Sequence, residues 1–87
     1  METEELTQRI VAILAKVSGK PAATVHLESA LIADLELDSI NFIELDHEIR
    51  RNGLPQIPQE DLQTLVKVAD VVRILSKFLS AHQPAAG

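Results

Sequence analysis

The sequence lacks cysteine, tryptophan and tyrosine, and it holds only two phenylalanines. Without cysteine, the chain can form neither a disulfide nor a thiolate metal site. With so few aromatic rings, it offers no platform on which nucleic-acid bases could stack. It also lacks an excess of basic residues, because 8 Lys and Arg stand against 13 Asp and Glu and give a formal charge of −5. Phosphate binding needs the opposite balance, so the composition argues against a nucleic-acid partner.

No stretch approaches the roughly 20 apolar residues that span a bilayer, which argues against stable membrane insertion. The start of the chain is rich in glutamate where a secretory signal is basic and then apolar. We therefore predict a cytoplasmic protein. With 87 residues, the chain suits one compact domain. We assign this domain to residues 1–80 and interpret residues 81–87 as a flexible C-terminal tail.

Apolar residues recur at helical spacing over most of the chain. The first such stretch ends before Gly19 and Pro21, which both favour a helix end. Asp38 is a good N-cap for the second stretch, and Gly53 is a good stop for it. Residues 21–37 between them show no sustained period, and their apolar side chains should pack on the core. We predict an all-α domain of three longer helices, one short helix and a long first loop, with helices over residues 3–17, 38–52, 58–64 and 68–80.

The second predicted helix has two apolar faces. Three residues fall within one arc of about 60° and should face the core: Phe42, Leu45 and Ile49. Three others fall within a second arc, roughly opposite: Ile40, Ile43 and His47. A small surface helix needs only one buried stripe. The second arc must therefore meet the long loop, a ligand or a partner.

Acidic residues are concentrated around this helix. Between residues 28 and 49 there are seven acids and no Lys or Arg: Glu28, Asp34, Glu36, Asp38, Glu44, Asp46 and Glu48. Like charges this dense repel each other, which argues against a stabilising role. They form either a solvated face that keeps the protein soluble or a docking surface with apolar contacts inside an acidic rim.

Ser39 stands at the start of the second helix, where a serine commonly does no more than assist the cap. The residues around it, however, resemble the Asp-Ser-Leu signature of acyl and peptidyl carrier proteins. The resemblance covers roughly residues 3–80 and continues through the family's Val-Glu-Leu, its Ile-Pro element and the start of its last helix. The matching segments are Leu35-Glu36-Leu37-Asp38-Ser39-Ile40, Ile43-Glu44-Leu45, Ile57-Pro58-Gln59-Glu60-Asp61 and Val68-Ala69-Asp70-Val71-Val72.

The resemblance implies a four-helix acyl-carrier-type bundle with no catalytic residues and no metal site. It implies that a phosphopantetheinyl transferase moves the 4′-phosphopantetheine arm of coenzyme A onto Ser39. Acyl groups would then be carried as thioesters on the thiol of the arm, which explains why the polypeptide needs no cysteine. Asp38 would serve transferase recognition or cap the helix.

The resemblance also gives the second apolar arc a role, because family residues at Ile40, Ile43 and His47 lie beside the arm and contact partner enzymes. Glu44 and Glu48 would meet basic patches on a ketosynthase, an acyltransferase or an acyl-activating enzyme. Contacts of this kind let a carrier and its partner enzymes associate quickly and weakly. Such association suits a monomeric carrier that serves fatty acid, polyketide or related lipid biosynthesis.

Six residues differ from the common fatty-acid pattern and favour a specialised, free-standing, bacterial-type carrier: Asn41, Asp46, Arg50, Arg51, Gly53 and Lys67. Three alternatives stay open. The protein could carry peptidyl or aminoacyl groups, including alanyl groups. It could be an unmodified helical interaction module, or a small hydrolase that uses Ser39. A Ser39–His47–Asp46 catalytic triad is disfavoured, because Ser39 and His47 are eight residues apart, or about 12 Å along a helix axis.

Overall fold

The computed structural model describes residues 3–82, which form four α-helices joined by loops. The helices are α1 (Thr3–Ser18), α2 (Ser39–Arg51), α3 (Gln59–Leu62) and α4 (Val68–His82), and a 3-10 turn covers Ala22–Thr24. Within residues 3–82 no strand forms, and the one β-type contact is an isolated bridge between Ala30 and Lys67. The prediction of an all-α domain with three longer helices, one short helix and a long first loop is confirmed. Residues 83–87 of the predicted tail lie outside the described residues, whereas α4 includes residues 81 and 82.

The core lies where α1 packs against both α2 and α4. One face of α1 is buried over its whole length: Leu6, Ile10, Ile13, Leu14 and Val17. The helix ends at Gly19, whose φ of 76° is the left-handed value that glycine adopts without a steric penalty. The Gly19 N–H donates to the Ala15 carbonyl over 2.9 Å, which satisfies one of the last carbonyls of α1. Between residues 3 and 82 every helix is too short or too polar to span a bilayer.

The third helix is shorter than the sequence predicts, since it covers only Gln59–Leu62. Pro58 precedes it, as expected from the fixed φ of proline. Beyond Leu62 the chain continues as turns, in which both the N–H and the hydroxyl of Thr64 donate to the Asp61 carbonyl. This turn carries Leu65 into the core, where it is buried. If α3 continued as a helix past Leu62, Leu65 would be carried away from its buried position.

The long first loop is packed onto the core by four buried side chains: Val25, Leu31, Leu35 and Leu37. The expectation that all of its apolar residues pack inward is wrong for Leu27 and Ile32, which are exposed. Backbone hydrogen bonds tie the loop to the start of α4, because Leu31 N–H donates to Val66 O over 2.8 Å and Val68 N–H donates to Ser29 O over 3.0 Å. The packing and hydrogen bonds of the loop therefore fix the position at which α2 begins.

Candidate functional site

The start of α2 is closed by a reciprocal pair of hydrogen bonds between Asp38 and Asn41. The Asn41 N–H donates to Asp38 Oδ1 over 2.9 Å, and the Asp38 N–H donates to Asn41 Oδ1 over 3.0 Å. This is a capping box, in which the N-cap and the third helical residue satisfy each other's backbone N–H. The prediction that Asp38 caps the helix is confirmed. Asn41 Nδ2 also donates to the Val17 carbonyl over 3.3 Å, so the cap is attached to α1.

Ser39 is the first residue of α2, and it is exposed. Among the described residues, its hydroxyl and the backbone N–H groups of Ser39 and Ile40 have no hydrogen-bond partner. Free N–H groups at a helix N-terminus form the positive end of the helix dipole and bind phosphate readily. The site thus combines an accessible hydroxyl with donors suited to a phosphodiester. These residues fit a phosphopantetheine group attached to Ser39.

The segment before the cap holds its shape through one residue in an unusual conformation. Glu36 has a φ of 58°, which is left-handed and costs a non-glycine residue roughly 1 kcal/mol. Its carboxylate receives a hydrogen bond from Lys20 Nζ over 2.7 Å, and this contact holds the pKa of Glu36 below its ordinary value. The turn lets Leu37 point inward, where it is buried. Ser39, two residues later, consequently remains on the surface.

A cavity of about 600 Å³ opens beside Ser39. It lies between α2, α3 and the loops that flank them, and eleven residues line it: Ile32, Ser39, Phe42, Ile43, Asp46, Gln56, Ile57, Gln59, Leu62, Gln63 and Leu65. Its size falls within the range of about 300–1,000 Å³ that small-molecule sites occupy. Sequence reasoning gives neither the lining nor the size of this cavity, and it predicts that Phe42 faces the core. Phe42 is half-buried and contacts both the core and the cavity.

The second apolar arc of α2 lies on the surface. Ile40 is 67% exposed and Ile43 is 69% exposed, and His47 is exposed beside them. The structure adds a residue that sequence reasoning did not include, because Ile32 of the long loop is 65% exposed and lines the same cavity as Ile43. These apolar side chains leave a patch uncovered at the mouth of the cavity.

The acids around α2 are less uniform than the sequence suggests. Three pair with lysines from distant parts of the chain: Glu28 with Lys67, Glu36 with Lys20 and Glu48 with Lys16. The fold therefore brings a cation to each of these three acids and offsets their mutual repulsion, although exposed ion pairs such as those of Glu28 and Glu36 contribute little to stability. Glu44, by contrast, is exposed, and within the described residues its side chain accepts only a 3.4 Å hydrogen bond from Asn41 Nδ2.

Glu48 lies on the side of α2 that faces α1 and is not brought together with Ile40 and Ile43. Its side chain is only 13% exposed and lies 3.2 Å from Lys16 Nζ and 3.6 Å from Arg51 Nη1. The hydrogen bond from Lys16 holds the pKa of Glu48 below its ordinary value. The charge of Glu48 is therefore largely compensated within the fold.

Comparison with known proteins agrees with this geometry. The model of the family described as "Phosphopantetheine attachment site" matches residues 8–75, which include the whole of α2 and the cavity. The chain belongs to this family of carrier proteins. The resemblance drawn from the sequence is confirmed, and the cofactor of the family is a covalently attached 4′-phosphopantetheine.

Individual carrier relatives differ in architecture. The chain is 37% identical over 82 residues to the non-reducing polyketide synthase dbaI of Emericella nidulans, covering 94% of this chain but only 3% of that protein. It is 27% identical over 79 residues to an acyl carrier protein of Rickettsia bellii, covering 91% of this chain and 92% of that one. A meromycolate extension acyl carrier protein of Mycobacterium leprae is 30% identical over 83 residues, with 95% and 72% covered.

Proposed function

We propose that the protein carries acyl intermediates as thioesters on a 4′-phosphopantetheine arm attached to the hydroxyl of Ser39. The observation that carries this proposal is the exposed, unbonded hydroxyl of Ser39 at the first position of α2, beside a cavity. The match of residues 8–75 to the family supports it. The names of the relatives support fatty acid or polyketide synthesis as the setting. When bound, the arm supplies the thiol that forms the thioester.

The attachment reaction needs little from the chain beyond placement of one atom. Ser39 Oγ forms a new bond to the phosphorus that carries the pantetheine in coenzyme A, and the bond from that phosphorus to the bridging oxygen breaks. The leaving group is 3′,5′-adenosine bisphosphate, and the serine proton passes to a base of the transferase. His47 lies two helical turns from Ser39, about 12 Å along the axis, and cannot act as this base. We accordingly propose a non-catalytic carrier.

The uncovered patch beside Ser39 is the surface we propose for contact with partner enzymes. Ile40 and Ile43 supply apolar contact, and Glu44 supplies a charge that no lysine or arginine compensates within the described residues. A phosphopantetheinyl transferase, followed by a ketosynthase, an acyltransferase or an acyl-activating enzyme with a basic patch, fits this surface. Charge at the rim of such a contact speeds association and makes it sensitive to salt.

The test is modification in vitro. Purified protein is incubated with coenzyme A, Mg²⁺ and a broad-specificity phosphopantetheinyl transferase, and intact mass is measured. We expect a mass gain of one arm, lost in Ser39→Ala and retained in the matched variant Ser76→Ala on α4. A wild-type protein that stays bare under these conditions would contradict the proposal and favour the unmodified interaction module. A gain that persists in Ser39→Ala would place the arm on another residue.

A further inference from the structure

The lining of the cavity beside Ser39 combines apolar side chains with a group of polar ones. Nearly half of its lining residues carry polar side chains: Ser39, Asp46, Gln56, Gln59 and Gln63. The three glutamines can each donate and accept hydrogen bonds. An alkyl chain placed against these groups would displace their water without replacing its hydrogen bonds.

Asp46 is the one ionisable residue in this lining. Its side chain is 19% exposed. Within the described residues its Oδ1 atom is shielded from solvent and has no hydrogen-bond partner. A buried polar atom that loses its water without gaining a new partner destabilises the fold, and more so when the atom is charged. Such a cost is seldom retained in a fold unless something else satisfies the atom.

Arg50 does not remove this deficit. Its Nε lies 3.6 Å from the other carboxylate oxygen, Oδ2, which is too long for a strong hydrogen bond, and the Arg50 side chain is largely exposed. The cavity lining contains no lysine, arginine or histidine that could approach Oδ1. A small rotation about the terminal torsion of Asp46, which is soft for this residue type, turns Oδ1 toward the cavity, where either water or a molecule that displaces this water can donate to it.

The position of Asp46 relates this acceptor to the attachment point. Asp46 follows Ser39 by seven residues on α2, so both lie on the same side of the helix, about 10 Å apart along its axis. Both line the same cavity. An acyl chain that starts from an arm on Ser39 and enters the cavity therefore passes along the face of α2 that carries Asp46.

We infer that the cavity selects acyl groups whose chain carries a hydrogen-bond donor, a hydroxyl or an amine, and that Asp46 is the acceptor that recognises it. This inference rests on the proposed attachment of the arm to Ser39. A carboxylate accepts from both donor types, and its charge gives an amine the additional benefit of ion pairing. A plain alkyl chain of equal length leaves Oδ1 without a partner and is the disfavoured cargo.

The experiment compares three stable amide analogues of coenzyme A with acyl chains of equal length, ending in a methyl, a hydroxyl or an amine. Each is loaded onto Ser39 by the transferase, and intact mass confirms loading. Thermal unfolding and amide chemical shifts of Gln56 and Gln63 report whether the chain enters the cavity. We expect the hydroxyl and amine chains to raise Tm by several degrees more than the methyl chain, because a hydrogen bond to a charged group changes the ratio of inserted to exposed chain by tenfold or more.

Two variants of Asp46 make the result specific. Asp46→Leu should abolish or reverse the preference for the donor-bearing chains. Asp46→Asn should keep the hydroxyl preference, since it retains an oxygen acceptor, and lose the added benefit of the amine. Glu60→Leu, which removes an exposed acid outside the lining, is the matched control and should change nothing. In the unmodified protein, Asp46→Leu should raise Tm because it removes an unpaired acceptor.

The outcomes separate this inference from the proposed function. If Ser39 fails to accept any of the analogues, the attachment proposal fails first. If all three load and the methyl chain raises Tm as much as the others or more, the carrier proposal stands and the role of Asp46 is refuted. A fall in Tm of the unmodified Asp46→Leu protein, together with an unchanged order among the three chains, would show that Asp46 is purely structural.

Discussion

The capping box at the start of α2 holds Ser39 in place, and its contribution to stability can be worked out from two hydrogen bonds. Replacing Asp38 with alanine removes the 2.9 Å bond from the Asn41 N–H and leaves Asn41 Oδ1 as the acceptor of the 3.0 Å return bond. Loss of an N-cap side chain costs about 0.5–2 kcal/mol, and loss of a negative charge at a helix N-terminus adds about 0.3–1 kcal/mol. We expect Asp38→Ala to lose about 1.5 kcal/mol, which lowers Tm by roughly 6–12 °C in a domain of this size.

A matched substitution separates the cap from the charge. Serine accepts the same hydrogen bond at an N-cap position but carries no charge, so Asp38→Ser should cost only a few tenths of a kcal/mol to about 1 kcal/mol. Urea unfolding followed by circular dichroism gives both free energies. Equal losses in the two variants would show that charge, and not the hydrogen bond, stabilises this end of α2. An Asp38→Ala protein as stable as the wild type would refute the cap energetics altogether.

Three further perturbations test other parts of the structure. Gly53 has a φ of 75° and open space around its Cα, so Gly53→Ala should cost roughly 1 kcal/mol from backbone strain alone, measured by urea unfolding; no loss would mean that the turn relaxes. The carboxylate of Asp70 accepts hydrogen bonds from two backbone N–H groups, which lowers its pKa. The stability that the ionised carboxylate contributes is fully present above the unfolded pKa of about 3.9 and is lost as pH falls through the lower native pKa. The free energy of unfolding of Asp70→Asn should therefore fall less than that of the wild type between about pH 5 and pH 2, as measured by urea unfolding. Glu44→Lys should slow loading by the transferase at low salt and leave Tm nearly unchanged. Glu48→Lys should lower Tm, because it places a third cation beside Lys16 and Arg51. Slower loading in Glu48→Lys, with a normal rate in Glu44→Lys, would place the docking charge on Glu48.

Local signals in the sequence were sufficient to predict the existence of the four helices and the ends of α1 and α2. The helix period marks the buried face of α1, and Gly19 and Gly53 both adopt the left-handed conformation expected of glycine beyond a helix end. Asp38 caps α2 as predicted. Each of these features depends on residues within about four positions of one another, which is why a sequence pattern can report them.

Long-range pairing was not predictable in the same way. The lysines that compensate Glu36 and Glu48 lie 16 and 32 residues away in the sequence, so a window that counts nearby charges sees only repulsion. The shorter α3 and the exposure of Ile32 have a related cause. Both depend on which side chains fit into the core that α1, α2 and α4 form. The local spacing of apolar residues carries no information about this long-range packing. The predicted monomer and cytoplasmic location stay predictions.

The cavity shows why a helix with two predicted faces turned out to have three. Leu45 and Ile49 hold α2 in the core, and Ile40 faces outward, as the spacing of apolar residues predicts. The third face, which carries Ser39 and Asp46, became visible only because α3 is short and its connections leave a gap beside α2. Because one face of α2 is buried in the core, residues on its other two faces are not needed for packing. The fold therefore tolerates the unpaired Oδ1 of Asp46 at the edge of its core. A hydrogen-bond donor on the acyl cargo would satisfy this oxygen.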